Sequence, residues 1–104
     1  MRIFVLFNLK PGVSKAEYLA WAKQTDLPIV RGLDSVASFE VFEVTSLLGS
    51  DQSPPYDYIE VVEVKDMDAF GKDVAQEIMQ RVAAEFQAIA TPQFLLSRSI
   101  EAAQ

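Results

Sequence analysis

The stretch RIFVLFNL, residues 2–9, decides how the rest of the chain is interpreted. It is rich in branched and aromatic residues and stops just before Pro11-Gly12, so it predicts a first β-strand. Its odd positions are all apolar, whereas its even positions run Arg2, Phe4, Leu6 and Asn8. One face of this strand therefore belongs in a core, and the apolar middle of the other face also requires a cover.

A first helix follows the strand. Ser14 and Glu17 have the spacing of a capping box, in which the serine oxygen accepts an amide proton three residues on. The helical pattern runs to about Thr25, and Pro28 disfavours helix at the residue before it, which predicts a break at Leu27. The stretch TDLPIVRGLDSV, residues 25–36, is then a connector to the next strand.

Three more strands and a second helix complete the pattern. Strands are predicted at 36–45 and 56–64, and the proline-rich segment 46–55 between them is a long loop and a candidate lid. Asp66 is placed to cap one long second helix. The apolar stripe of that helix is Met67, Phe70, Val74, Ile78, Val82, Phe86 and Ile89. Pro92 ends it, and a fourth strand is predicted at 94–100.

This order, βαββαβ, predicts an α+β fold of the ferredoxin-like type with a four-stranded antiparallel sheet. A sheet covered by helices on one face normally alternates between apolar and polar residues. Here the second strand has Phe39 and Val41 on one face and Phe42 and Val44 on the other. Because apolar residues occupy both faces, we expect a homodimer that buries the second face and encloses pockets between each sheet and its partner.

Composition narrows the chemistry. The 104 residues, half of them hydrophobic, are expected to form a single domain over residues 1–104. The chain contains no cysteine and no histidine, so acid–base chemistry falls to Asp, Glu, Tyr, Lys or Arg, and no metal site or cofactor is predicted. A net charge of −6 disfavours nucleic acid as a partner. The N-terminal apolar run is too short to span a membrane, and a cytoplasmic location is expected.

Two sets of charged residues are candidates for the chemistry. Asp26 and Arg31 either face a ligand or pair with each other to hold the connector. Glu60 shares a strand face with Tyr58 and Val62, so its carboxyl group is either a general acid or base with a raised pKa or a rim group paired with Arg2 or Arg98. The polar and aromatic candidates for substrate binding are Asn8, Phe4, Tyr18, Trp21, Phe42 and Tyr58. For Asn8 the alternative is a bond to turn backbone, and for the aromatic residues it is burial in the core.

Two long segments resemble the RedY/HapK-like family of the dimeric α+β barrel superfamily. They are residues 7–36 and residues 45–75. The matching features are NLKPG, Trp21, TDLPxVRxLxSV, LLGS, PPYxYxE and DMDAF, in this order. The resemblance implies a protomer of ferredoxin-like fold paired into a barrel, and a role in secondary metabolism beside pathways to prodigiosin-type tripyrroles and bisindole antibiotics.

The connector is also similar to an element of EthD-like proteins that contains a histidine. Pro28, Arg31 and Leu33 fall in register with that element, whereas Asp26 occupies the histidine position. A mechanism that depends on histidine is therefore not implied for this chain. If the position is functional, a carboxylate does the work.

These observations lead to three functional hypotheses. The first is a cofactor-free cyclase or isomerase acting on a small aromatic pyrrole or indole intermediate, with Asp26 and Glu60 as proton carriers and Asn8 and Arg31 orienting a carbonyl or imine. The second is a protein that binds such an intermediate without reacting, with other pathway enzymes as further candidate partners. The third is a cofactor-independent monooxygenase, a chemistry known elsewhere in the superfamily.

Overall fold

The strand predicted at residues 2–9 forms as β1, Arg2–Leu9, inside a four-stranded antiparallel sheet. In this computed structural model, which describes residues 1–103, β1 pairs with β3, Tyr58–Val64, on one side and β4, Ala90–Ser97, on the other. β2, Val36–Glu43, pairs with β3, so the strand order is β2-β3-β1-β4. With helices after the first and third strands, this order confirms the ferredoxin-like α+β fold.

The first helical region continues through the predicted break at Leu27. It consists of α1, Lys15–Trp21, a π-helical turn, Ala22–Asp26, and α2, Leu27–Arg31. Leu27 is helical, and its N–H donates to the carbonyl of Ala22, five residues back. The predicted break at Leu27 is absent for two reasons. The π turn before it is one residue wider than an α turn, and Pro28 lies in the first turn of α2, where a missing N–H is tolerated.

Hydrogen bonds of Asn8 hold the loop between β2 and β3. The two strands are shorter than predicted, so the loop covers residues 44–57. The side-chain amide of Asn8 donates to the carbonyl of Pro55 at 3.0 Å, and its oxygen accepts from the Asp57 amide at 2.9 Å. Asn8 therefore binds backbone, as the alternative to substrate binding expected. The backbone is that of the 44–57 loop and not that of the turn after β1.

The predicted long second helix is two helices, α3, Met67–Val74, and α4, Glu77–Ile89. Asp66 caps α3 as expected, accepting from the amides of residues 68 and 69. Gln76 is extended between the helices, and this break changes which residues of α4 face the core. Val82 and Phe86 are buried, whereas Ile78, which the continuous stripe placed inside, is 46% exposed.

Strand β4 begins four residues earlier than predicted and contains Pro92, the residue expected to end the preceding helix. Pro92 lies opposite Phe7 of β1. The position tolerates proline because β4 is an edge strand, where an amide can go without a partner in the ladder.

The two faces of the sheet have different surroundings. On one face Ile3, Val5 and Phe7 are buried against the helices, in a core that includes Tyr18 and Phe86. The opposite face carries a second apolar set at the surface of the chain, which consists of Phe4, Leu6, Phe42, Ile59, Val61 and Leu95. We call this set the outer face. None of the helices in residues 1–103 is long and apolar enough to cross a bilayer.

Candidate functional site

Two carboxyl groups meet in the interior, between the sheet and the helices. Glu60 lies in the middle of β3 on the face that packs against the helices, and 4% of its surface is exposed. Asp26 is the last residue of the π-helical turn and is 5% exposed. Both side chains line one cavity and each shifts the pKa of the other, so the two carboxyl groups are close neighbours. Because two ionised carboxylates side by side in an apolar interior repel each other and neither can donate a hydrogen bond, this arrangement favours a shared proton.

Local structure explains both positions. Tyr18, Ala22 and Asp26 are spaced four residues apart and are all buried, so one line of the helical segment faces the sheet. Single π turns occur frequently at functional sites, and here the wide turn ends on the aspartate. Glu60 has Val5 and Val41 as its direct neighbours on the adjacent strands, so its carboxyl group lies among apolar side chains.

Burial raises the pKa of both carboxyl groups, but to different extents. The pKa of Glu60 is held well above its usual range by loss of solvent, then by the negative charge of Asp26 and by their hydrogen bond. Loss of solvent raises the pKa of Asp26 to about 6, while the hydrogen bond from Glu60 works in the opposite direction. Of the two groups Glu60 holds its proton more tightly, so in the singly protonated pair the proton is on Glu60 and Asp26 is ionised.

A cavity of about 330 Å³ opens onto this pair. Its polar lining is Asp26, Glu60 and Gln80. The remaining lining is apolar and comes from the sheet and from α2, α3 and α4, namely Ile3, Val5, Val30, Phe39, Val62, Phe70, Val74, Met79, Val82, Ala83, Phe86 and Phe94. The size and the mainly apolar wall with a few polar groups are typical of a small-molecule site.

Three buried polar atoms near this region have no hydrogen-bond partner among the described residues. They are Oε2 of Glu60 and the hydroxyl oxygens of Tyr18 and Tyr58. Burial, followed by the charges of Glu60 and Asp26, raises the pKa of Tyr18 far above its ordinary value, so this hydroxyl stays protonated. Buried polar groups in proteins nearly always have a partner, so the Glu60 carboxyl group, which lines the cavity, still requires a hydrogen-bond donor.

Arg31 and Trp21, which were expected at the site, have other partners. The side chain of Arg31 donates to the carbonyl of Phe39 at 2.8 Å and forms no ion pair with Asp26, so the structural pairing considered for these two residues is wrong. Trp21 stacks on Phe86 with ring centroids 5.8 Å apart, and its indole N–H donates to Glu85. Both residues support the helices around the cavity and are not part of its lining.

The alternative in which Glu60 pairs with Arg2 or Arg98 is also wrong. Arg2 pairs at 2.7 Å with Glu63, which lies three residues further along β3 on the outer face. Neither Arg2 nor Arg98 lines the cavity, and no ion pair of Glu60 occurs within residues 1–103.

The expected aromatic wall is divided between the two faces of the sheet. Tyr18 and Tyr58 lie in the core beside Phe7, with the tyrosine ring centroids 4.6 Å apart. Phe4 and Phe42 lie on the outer face, away from the carboxyl pair. A single wall containing all of them is therefore not formed within one chain, and the cavity lies between sheet and helices, where we expected it between sheet and partner.

The aromatic residues that do line the cavity include Phe39, Phe70 and Phe94, which sequence reasoning did not select. Phe39 could have been found from strand alternation once the β2–β3 register was known, because it lies opposite Val62 on the face of Glu60. Phe70 belonged to the recognised apolar stripe. Phe94 carries no signal in the sequence that separates it from an ordinary strand residue.

The raised pKa values predict an unusual dependence of stability on pH. The folded protein binds the Asp26 proton more tightly than the unfolded chain, whose aspartate has a pKa near 3.8. This stabilisation is complete below the unfolded value and is lost as the pH rises through about 6. Relative to the double variant Asp26→Asn/Glu60→Gln, the free energy of unfolding should fall by at least roughly 2–3 kcal/mol over this range, because the raised pKa of Glu60 adds to the Asp26 contribution.

Urea unfolding of both proteins at a series of pH values measures this difference, because contributions of the other ionisable groups cancel. A difference that stays constant with pH would show that neither carboxyl group is buried with a raised pKa.

The comparisons with known proteins agree with this architecture. The family model described as REDY-like protein HapK matches residues 1–100. Among curated proteins, none matches the chain. The crystal structure of HapK from Hahella chejuensis is 19% identical, with a TM-score of 0.72, and the alignment covers 100% of this chain and 99% of that one.

Two further structures share the fold. SnoaB, a cofactor-independent oxygenase from Streptomyces nogalater, is 16% identical with a TM-score of 0.70, covering 95% of this chain and 93% of that one. A dimeric protein of unknown function from Bacteroides fragilis is 12% identical with a TM-score of 0.62, covering 90% of each chain. At these identities structural likeness shows the fold alone, whereas the family model matches nearly the whole sequence. The chain belongs to the family of REDY-like HapK proteins.

Proposed function

We propose that this protein is a small cofactor-free enzyme of secondary metabolism that cyclises or rearranges an aromatic pyrrole or indole intermediate by acid–base catalysis. The observation that carries the proposal is the contact between Asp26 and Glu60 in the wall of an apolar cavity. Two carboxyl groups that differ in protonation in one site are the arrangement that acid–base enzymes use to remove one proton and supply another.

The different pKa values of the pair suggest a role for each group. Asp26, ionised near neutral pH, is the base that removes a proton from the ring or its substituent as the new bond forms. Glu60, which keeps its proton, is the acid that protonates the group developing negative charge. One proton leaves the substrate and one enters it, so the step is an isomerisation or cyclisation with no change in oxidation state.

The cavity wall supports an aromatic substrate. Phe39, Phe70, Phe86 and Phe94 contribute aromatic rings to a space of about 330 Å³, within the range that small ligands occupy. Aromatic side chains favour offset or edge-to-face contacts with a flat conjugated ring. The pyrrole or indole class itself rests on the resemblance to the RedY/HapK-like family.

A cofactor-independent oxygenase is the second candidate, supported by the shared fold of SnoaB. The residues considered for it, Asn8 and Trp21, are engaged with loop backbone and with Glu85, and neither lines the cavity. The acid–base pair inside the cavity therefore favours the first proposal. Oxygen consumption on addition of substrate would support the second.

Removing either ionisable group should abolish most of the turnover. Asp26→Asn and Glu60→Gln keep the size of the side chains but cannot exchange a proton, and each should lower kcat by ~10²–10⁴-fold. Turnover of a pyrrole or indole pathway intermediate by the purified protein measures the effect. Glu101→Gln, which removes an exposed carboxylate after the last strand, is the matched control and should retain wild-type activity.

Unchanged turnover in both folded variants would refute the acid–base assignment. Tight binding of the intermediate by the wild-type protein without any product would instead identify a carrier protein.

We also propose that two copies associate through the outer face. Phe42 is 49% exposed on the edge strand β2, beside Phe4 and Val61 of the outer face, and monomeric proteins rarely leave a contiguous apolar surface of this kind in water. A symmetric dimer would cover this surface with an identical one. Because the cavity lies on the opposite side of the sheet, each copy would retain its own carboxyl pair.

A charge at an exposed position of the outer face should prevent association. Sedimentation velocity at micromolar concentration should show a dimer for the wild type and a monomer for Phe42→Asp. Ile78→Asp is the control, because Ile78 is similarly exposed, at 46%, but lies on helix α4 and should not affect the dimer. A wild-type protein that sediments as a monomer would contradict the proposal.

A further inference from the structure

The polar lining of the cavity is acidic apart from one amide. Asp26 and Glu60 are its titratable residues, and Gln80 is the remaining polar side chain. The amide nitrogen of Gln80 donates to the carbonyl of Val74 at 2.8 Å and so closes the gap between α3 and α4. No Lys or Arg of residues 1–103 is part of the lining.

Two basic side chains of the helical layer have partners away from the carboxyl pair. Arg31, in the helix that follows Asp26, donates to the carbonyl of Phe39. Lys15, at the start of α1, pairs with the exposed carboxylate of Glu43 at the end of β2. The protein therefore brings no positive charge to the carboxyl pair, although the pair carries one negative charge when a single proton is shared.

This arrangement leaves two requirements unmet. A negative charge in an apolar interior is destabilising unless it is paired or hydrogen-bonded. Glu60 lines the cavity, and its buried Oε2 accepts no hydrogen bond from the described residues. A ligand with a positively charged N–H group would meet both requirements, since it would balance the charge and donate a hydrogen bond to the carboxyl pair.

We infer that the cavity selects ligands in which a protonated nitrogen, as an amine or an iminium group, is attached to an aromatic body. The nitrogen lies against the carboxyl pair of Asp26 and Glu60, while the ring packs against the phenylalanine side chains. Ligands that carry a carboxylate or phosphate at this position are rejected, because they meet a like charge with no cation to pair with.

This inference rests on the proposed function, because it assigns the polar group of the ligand in the same cavity. It also narrows the reaction. A cyclisation that proceeds through a protonated imine develops its positive charge beside the carboxyl pair, which stabilises it electrostatically. Neither Asn8 nor Arg31 is needed to polarise a carbonyl, which agrees with their engagement elsewhere.

Three matched probes test the inference. Tryptamine, 3-propylindole and indole-3-propionate share the indole ring and its ethylene chain, and end in an ammonium, a methyl and a carboxylate group. In calorimetric titrations at neutral pH, the wild type should bind tryptamine roughly 10- to 100-fold more tightly than 3-propylindole, as expected for one charge-assisted hydrogen bond. Indole-3-propionate should bind most weakly.

Variants locate the effect in the cavity. The double variant Asp26→Asn/Glu60→Gln should lose the preference for tryptamine and still bind 3-propylindole. Glu101→Gln, which removes an exposed acidic group outside the cavity lining, should keep the wild-type order and so exclude general attraction of cations to an acidic protein. If the double variant does not fold, carboxyl ¹³C spectra of the wild type decide. Tryptamine, but not 3-propylindole, should then move the Glu60 and Asp26 signals towards the ionised position.

The outcomes separate the two proposals. If 3-propylindole binds the wild type as tightly as tryptamine, or if the preference survives in the double variant, the inference is wrong while the aromatic cavity stands. If none of the probes binds, the cavity is not a site for indole rings, and the proposed substrate class fails with it.

Discussion

The burial of two carboxyl groups in contact is the constraint on which the site depends. Two ionised carboxylates at this position would repel each other and would both lack water, so the folded protein holds a proton between Glu60 and Asp26. This arrangement lowers stability near neutral pH compared with mildly acidic conditions. Proteins retain such destabilising groups mainly where function needs them, and here the pair opens onto a cavity.

The fold brings Glu60 from the sheet and Asp26 from the helical layer to the same cavity. Alternation along β3 directs Glu60 towards the helices, between Val5 and Val41 of the neighbouring strands. The π-helical turn ends on Asp26 and lets the helical segment continue past Pro28 instead of turning away. The sequence pattern of residues 25–36 predicted a connector between helix and strand. Asp26 and Val30 of this segment line the cavity, and Asp26 is the proposed proton acceptor.

The sequence was most informative where the pattern is local. A period of two residues along β3 is enough to bury Glu60 with Tyr58 and Val62, whatever the rest of the fold. It was less informative where the outcome depends on packing. The apolar stripe of residues 67–89 fits one long helix or two shorter ones. The packing of the core determines that Val82 is buried and Ile78 is exposed. Likewise, both faces of β1 are apolar, and only the placement of the helices separates Phe4 from the site.

The most direct test of this account is the titration of the individual carboxyl groups in the wild-type protein. Carbon-13 spectra of protein labelled at the Asp and Glu carboxyl carbons would follow each group as the pH is raised. The account predicts that Glu60 remains protonated through neutral pH and that Asp26 titrates near 6. If both groups instead titrate at about 4, as exposed Asp and Glu residues do, the shared proton and the acid–base site are contradicted.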